Sequence, residues 1–156
     1  MPEAAGPSTE ERLAAWLHSN RTAVGIGAGA IALVVIVTWF MATATQRKEN
    51  FARVQLEQAW GAADAGNAPL AAAELQKVVD NYAGTDAAFE ARLSLNETRL
   101  SAGQSQLAAD DLTAFVASGP PRAVLAQANV LLGAAYENLG KGAEAAAAYQ
   151  AAVEAA

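Results

Sequence analysis

From Thr22 to Gln46 the chain runs for 25 consecutive positions without a charged residue, and the centre of that run reads AVGIGAGAIALVVIVTWFMA. An α-helix rises about 1.5 Å per residue, so such a run reaches roughly 37 Å and covers the ~30 Å hydrocarbon core of a bilayer with some tilt. Arg21 closes one end, and Arg47 with Lys48 closes the other. Trp39 and Phe40 lie near the second end, where amphipathic rings favour the headgroup layer. Residues 22–46 are therefore read as a transmembrane helix. The competing reading is a cleaved signal peptide, because Ala42-Thr43-Ala44 has the small-x-small form of a processing site. Against it stand the long stretch before the apolar run and the length of the run itself, which exceeds a usual signal core.

Residues 1–21 form a short tail. MPEAAGPST is expected to be disordered. Ser8 and Glu11 have the spacing of a capping box, in which the hydroxyl accepts a helix N–H and the carboxylate returns to the cap. Leu13, Trp16 and Leu17 follow at i, i+3 and i+4, so a helix here has one apolar face with Trp16 at the membrane interface. Two arrangements stand level: a helix lying on the membrane surface, and one that continues into the span. His18, the single histidine, reads as a headgroup-level residue rather than a base.

Residues 47–156 have a different character. They carry eight basic and thirteen acidic residues, a net charge of −5, and are rich in alanine, the best helix former. Breaks at Gly66-Asn67, Ala83-Gly84, Gly103, Gly119-Pro120-Pro121 and Gly140-Lys141-Gly142 cut the segment into helices of about 13 to 19 residues. The breaks recur. Gly66, Gly103 and Gly140 are 37 residues apart, as are Ala71, Ala108 and Ala145, then Leu75, Leu112 and Tyr149, then Val78, Phe115 and Ala152. The glycine fits a left-handed turn between two helices, the alanine a close helix approach, and the larger residues one buried face. One hairpin cannot bury that face alone, so hairpins must stack. The expected fold is all-α: one transmembrane helix followed by an α-solenoid of about three helical hairpins with period 37.

The last of these units resembles the tetratricopeptide repeat, through Leu132-Gly133 and Tyr136 in its first helix and Ala145, Tyr149 and Ala152 in its second. The middle unit keeps Leu95, Ala108, Leu112 and Pro120 but has Asn96 and Arg99 where the motif has Gly and Tyr. The first keeps Ala71 and Leu75. The layout as a whole, with EERLAAWLHSNRTAVGIGAGAIALVVIVTWF before the repeats, resembles the YfgM-like ancillary subunits of the bacterial Sec translocon. The resemblance implies a single-pass protein of the inner (cytoplasmic) membrane, with its N-terminus in the cytoplasm and a periplasmic tetratricopeptide-like domain over residues 47–156. It implies the role of a translocon-associated adaptor for periplasmic chaperones or emerging chains. Such domains have further helices, so the sequence is expected to be truncated at its C-terminus. Charge alone leans the other way on orientation: Arg12 and Arg21 precede the span, whereas Arg47, Lys48 and Arg53 follow it.

Little in the chain points to chemistry. Without cysteine there is no thiol nucleophile, disulfide or Cys-ligated metal, and the acidic balance argues against nucleic acid. No cofactor, metal or enzymatic activity is expected. Gly25-x-Gly27 lies inside the span with no strand before it, so it is not a dinucleotide turn. Gly25 with Gly29, and Ala28 with Ala32, instead offer small-residue faces for a neighbouring transmembrane helix. The sequon Asn96-Glu97-Thr98 falls within a helix and is set aside, and Asp110-Asp111 reads as a solvated face, since adjacent helix positions diverge. The remaining resource is surface: Gln55, Gln58, Arg92, Asn96, Arg99, Gln127 and Asn129 on the first helix of each hairpin are the candidate groove for an extended peptide or partner loop. The expected partners are the bilayer, an integral membrane complex and a periplasmic protein or peptide. The alternative to the adaptor is an accessory structural subunit of another membrane complex, respiratory or photosynthetic. Its span would pack on partner helices and its repeats would brace the periplasmic side.

Overall fold

The computed structural model describes residues 9–156, and all its regular elements are helices, with no strand among the described residues. In chain order they are α1 (Thr9–Ser19), α2 (Arg21–Asp64), α3 (Ala68–Asn81), α4 (Asp86–Ser101), α5 (Ser105–Ala117), α6 (Arg122–Asn138) and α7 (Gly142–Ala155). The chain divides into two compact units, Met1–Ala44 and Thr45–Ala156. Residues 1–8, with the Ser8 end of the expected capping box, lie outside the described residues, while Thr9, expected in the disordered tail, is the first residue of α1.

In the first unit the helical ladder crosses the α1–α2 junction. Asn20 N donates to the Trp16 carbonyl and Val24 N to the Asn20 carbonyl, both at 2.9 Å. Of the two arrangements open at the N-terminus, this backbone favours a helix that continues into the apolar run. Along that run Ile26, Ile31, Leu33, Val34, Val35, Ile36, Trp39 and Phe40 are all exposed. The most apolar 18-residue window has a mean hydropathy of 2.3, and none of it is buried. Thr38 and Thr43 turn their hydroxyls back on the Val34 and Trp39 carbonyls, at 2.9 and 2.8 Å, which satisfies both hydroxyls inside the helix. Among the described residues one helix, near the N-terminus, is thus long and apolar enough to cross a membrane.

In the second unit one turn is built three times. Gly66, Gly103 and Gly140 adopt φ of 75°, 73° and 70°, a region open to glycine without a Cβ penalty. Each glycine N–H reaches the carbonyl three residues back (Ala63, Leu100, Glu137), and the next N–H reaches five back: Asn67 to Ala62, Gln104 to Arg99, Lys141 to Tyr136. This is the paired hydrogen bonding that ends helices at a left-handed glycine. The following helix then starts in the same register, with Ala71, Ala108 and Ala145 donating to Asn67, Gln104 and Lys141. The 37-residue spacing is therefore a repeated backbone structure.

Two apolar clusters form the core. One joins Ala52, Leu56 and Ala59 of α2 to Leu75 and Val78 of α3 and Ala87, Ala91 and Leu95 of α4. The other joins Leu93 of α4, Ala108, Leu112 and Phe115 of α5, Ala128, Leu132 and Ala135 of α6, and Ala148 of α7. Helix ends are tied across elements as well. The Glu49 carboxylate accepts from the first N–H groups of α4, Asp86 at 2.8 Å and Ala87 at 3.1 Å, where the helix dipole favours a negative charge. Lys48 Nζ donates to the Ala83 carbonyl beyond α3, and Arg122 to the Ala155 and Glu154 carbonyls at the end of α7. Cations at helix C-termini complement the opposite pole.

Candidate interaction site

The polar residues of α4 are drawn together by one carboxylate. Asp111 of α5 accepts from Arg92 Nε and Nη2 at 3.2 and 3.0 Å and from Asn96 Nδ2 at 2.7 Å, with Arg99 Nη1 at 3.6 Å. Asn96 is fully buried and its Oδ1 accepts from Arg99 Nη1 at 3.2 Å. The Arg92 guanidinium also lies 4.9 Å from the centre of the Phe115 ring. Asp111 is thus not on a solvated face, which corrects the expectation for the Asp110-Asp111 pair. Successive residues of a helix point about 100° apart, so one carboxylate faces α4 while Asp110 stays exposed and bonds Gln106. Among the described residues every buried side-chain nitrogen or oxygen has a partner.

Arg99 does further work. Its Nη2 donates to Gln76 Oε1 of α3 at 3.0 Å. One period later, Tyr136 Oη lies 3.3 Å from Thr113 Oγ1 of α5. Arg99 and Tyr136 occupy the same column, as do Gln76 and Thr113, so the arginine supplies the inter-hairpin link that the tyrosine makes in the next unit. The column one turn earlier holds Ala59, Asn96 and Gly133, all buried. At Gly133 a Cβ would stand 2.5 Å from the Tyr149 ring, so the glycine is what lets α6 and α7 close over that tyrosine. Tyr149 Oη donates to Glu137 at 2.7 Å, and this bond, with some burial and the carboxylate charge, raises the phenol pKa above its ordinary value.

The other candidate groove residues are dispersed. Gln58 and Gln127 are exposed and Gln55 is half-buried. Asn129 is buried, with Nδ2 on the Leu125 carbonyl at 3.0 Å. Arg92, Asn96 and Arg99 come together, but their polar groups are held by Asp111 and Gln76. In the apolar run Gly25, Ala28, Gly29 and Ala32 are exposed, and a Cβ at either glycine would meet nothing within 4 Å. Trp16, Trp39 and Phe40 are exposed, at 57%, 68% and 68%.

One concave feature lies outside the candidate residues. A cleft of about 490 Å³ opens where α2, α3 and α4 meet, floored by Ala71 and Leu75 and walled by Trp60 and Ala63 on one side and Ser94, Glu97 and Ala102 on the other. Trp60 Nε1 lies 3.3 Å from Ser94 Oγ across it. The signal is present in the sequence as a contrast between columns. Ala63, Ser94 and Ala102 fall where the next unit has Leu100, Leu131 and Leu139, and those three leucines pack against the second core cluster. Among the described residues no group of three or more His, Cys, Asp or Glu side chains is placed to hold a metal ion. Comparison with family models, with curated proteins and with solved structures gives no match to this chain.

Proposed function

We propose that this chain is a membrane-anchored interaction subunit: the apolar run spans a bilayer and the second unit is a tetratricopeptide-like stack of helical hairpins that receives a partner. The observation that carries the reading is the turn at Gly66, Gly103 and Gly140, built three times with the same hydrogen bonds. The close approach of Gly133 to Tyr149 supports the tetratricopeptide-like part, since it gives the Gly and aromatic of that motif a packing reason. The anchor is supported by the apolar run being wholly uncovered. Burying one large aliphatic side chain is worth about 1.5–3 kcal/mol, and that gain is available to this run only in lipid or against a partner.

Within this reading the chain is an adaptor at the Sec translocon of the inner membrane, offering periplasmic repeats to a chaperone or an emerging chain, as its layout resembles. It has no enzymatic role. Extraction of the tagged chain in mild detergent, with mass spectrometry of what co-purifies, tests this. Stoichiometric translocon subunits are expected. A respiratory or photosynthetic complex without translocon would replace the adaptor with a bracing subunit and turn attention to the Gly25 and Gly29 face. Orientation is tested separately. The chain has no cysteine, so single-cysteine variants report cleanly. In spheroplasts an impermeant maleimide is expected to label Gln104→Cys at once and Ser8→Cys only after lysis. The reverse order would place the repeats in the cytoplasm, and loss of residues 1–44 from the mature chain would establish a signal peptide.

A further inference from the structure

The cleft between α2, α3 and α4 is a local departure from the chain's own packing rule. In the next unit Leu100, Leu131 and Leu139 occupy the corresponding columns and are half-buried against the core. Here Ala63, Ser94 and Ala102 stand in their place and about 490 Å³ is open. That volume lies within the range of small-molecule pockets and exceeds what one amino-acid side chain needs. The lining is mainly apolar, with the hydroxyl residues Ser94, Thr98 and Ser101 along α4 and Glu97 as its single charged residue. Glu97 is exposed, and no hydrogen bond or ion pair of its carboxylate occurs among the described residues, so the charge is open to a partner at the rim. Trp60 forms one aromatic wall, and its Nε1 donates to Ser94 Oγ on the other at 3.3 Å.

We infer that this cleft is a receptor for one bulky apolar side chain, leucine or phenylalanine, presented by a partner segment that carries a lysine or arginine beside it. The inference deepens the interaction-subunit reading and rests on it. The missing leucines define the shape the guest replaces, and the unpaired Glu97 carboxylate defines the charge next to it. Docking a leucine-sized side chain here recovers the burial that Leu100, Leu131 and Leu139 give the neighbouring unit. The basic neighbour adds a rim ion pair, weaker and sensitive to salt.

The test uses the full chain in detergent, probed with an array of ten-residue Gly/Ser peptides. Each carries one central Leu, Phe or Ala with Lys, Glu or Ser beside it. Wild-type chain is expected to be retained about tenfold better by Leu-Lys and Phe-Lys peptides than by Ala-Lys peptides, the factor expected from burying one such side chain. The preference for Lys over Glu is expected to be about threefold, to fade in high salt, and to disappear in Glu97→Gln with the Leu preference kept. Filling the cleft by Ser94→Leu with Ala102→Leu copies the next unit and is expected to abolish retention while circular dichroism shows unchanged helix content. If that pair fails to fold, Ala63→Leu alone serves the same purpose. Equal retention of Leu and Ala peptides by the wild type, or undiminished retention by a folded filled variant, overturns the inference. Co-purification from membranes is run in parallel with wild type and filled variant. A wild type that recovers no stoichiometric partner counts against the interaction-subunit reading whatever the array shows, whereas a partner recovered equally by both chains counts against the cleft alone.

Discussion

The two places where one hairpin meets the next share a backbone and differ in what they pack. At the first, α3 and α4 meet with Ala63, Ser94 and Ala102 around an open cleft, and Arg99 reaches across to Gln76. At the second, α5 and α6 meet with three leucines in those columns, and Tyr136 reaches across to Thr113. The turns that set the register share the glycine φ and the same paired backbone bonds after it. The lesson is that the 37-residue period fixes where side chains meet, while the identity of each column decides whether the meeting is filled, polar or left open. The filled junction buries three leucines, and the open one is where the proposed partner side chain would seat.

This contrast is broken most severely by truncating the shared leucine column. Leu75 and Leu112 are both buried, but Leu75 already borders the cleft. Leu112→Ala is expected to cost about 3–4 kcal/mol and Leu75→Ala about 2–3, because the first leaves an enclosed void and the second enlarges a space that solvent reaches. Denaturant unfolding of the detergent-solubilised chain measures both, and equal losses would remove the distinction between the junctions. Asp111→Ala ranks next, at about 2 kcal/mol. It strips three donors of their shared acceptor, yet Asp111 and Arg92 retain 21% and 29% of their side-chain exposure, so the penalty is below that of a fully buried pair. Hydrogen exchange should show α4 and α5 loosening together while α7 holds.

Much of this architecture could be read from residues alone, and the part that could not has a physical cause. The turn glycines announce themselves, because a left-handed backbone leaves few other choices at Gly66, Gly103 and Gly140. The apolar run announces itself by length and by lack of charge. Asp111 did not, since one sequence position says nothing of which way a helix face turns, and the choice between water and α4 is made by packing. Asn96 and Arg99 differ in kind from the residues one period later: a buried amide and a guanidinium form a network where the next unit uses a glycine and a phenol. The cleft was legible only by comparing columns for size, as a run of small residues is silent until the larger residues in the next unit show what it lacks.

The pairing of Gly133 with Tyr149 sharpens the comparison within a single column. Gly133→Ala places a methyl 2.5 Å from the ring, and Tyr149 must give way. The expected cost is about 1–2 kcal/mol, an overpacking penalty partly offset by the better helix propensity of alanine. The first unit carries Ala59 opposite Leu75 in these columns, with both buried. Gly133→Ala with Tyr149→Leu should therefore recover most of the loss, and a double variant as unstable as the single would falsify the equivalence of the columns.

The smallest expected effect is confined to alkaline pH, and it separates the last hairpin from the other two. The hydrogen bond to Glu137, aided by burial and by the carboxylate charge, raises the Tyr149 phenol above its ordinary pKa near 10. A group whose pKa is raised on folding contributes stability that is complete below the unfolded value and lost as pH climbs through the folded one. As pH rises from about 10 through the raised folded value, the wild-type melting temperature should therefore fall more steeply than that of Tyr149→Phe, which has no phenol proton to lose. Tyr82 and Tyr136 are present in both chains and cancel in the difference. The same columns of the first two hairpins hold Leu75 and Leu112, which do not titrate, so hydrogen exchange should place the alkaline loosening in α6 and α7. Parallel melting curves for the two chains would mean that the Tyr149–Glu137 bond contributes nothing to holding that hairpin closed.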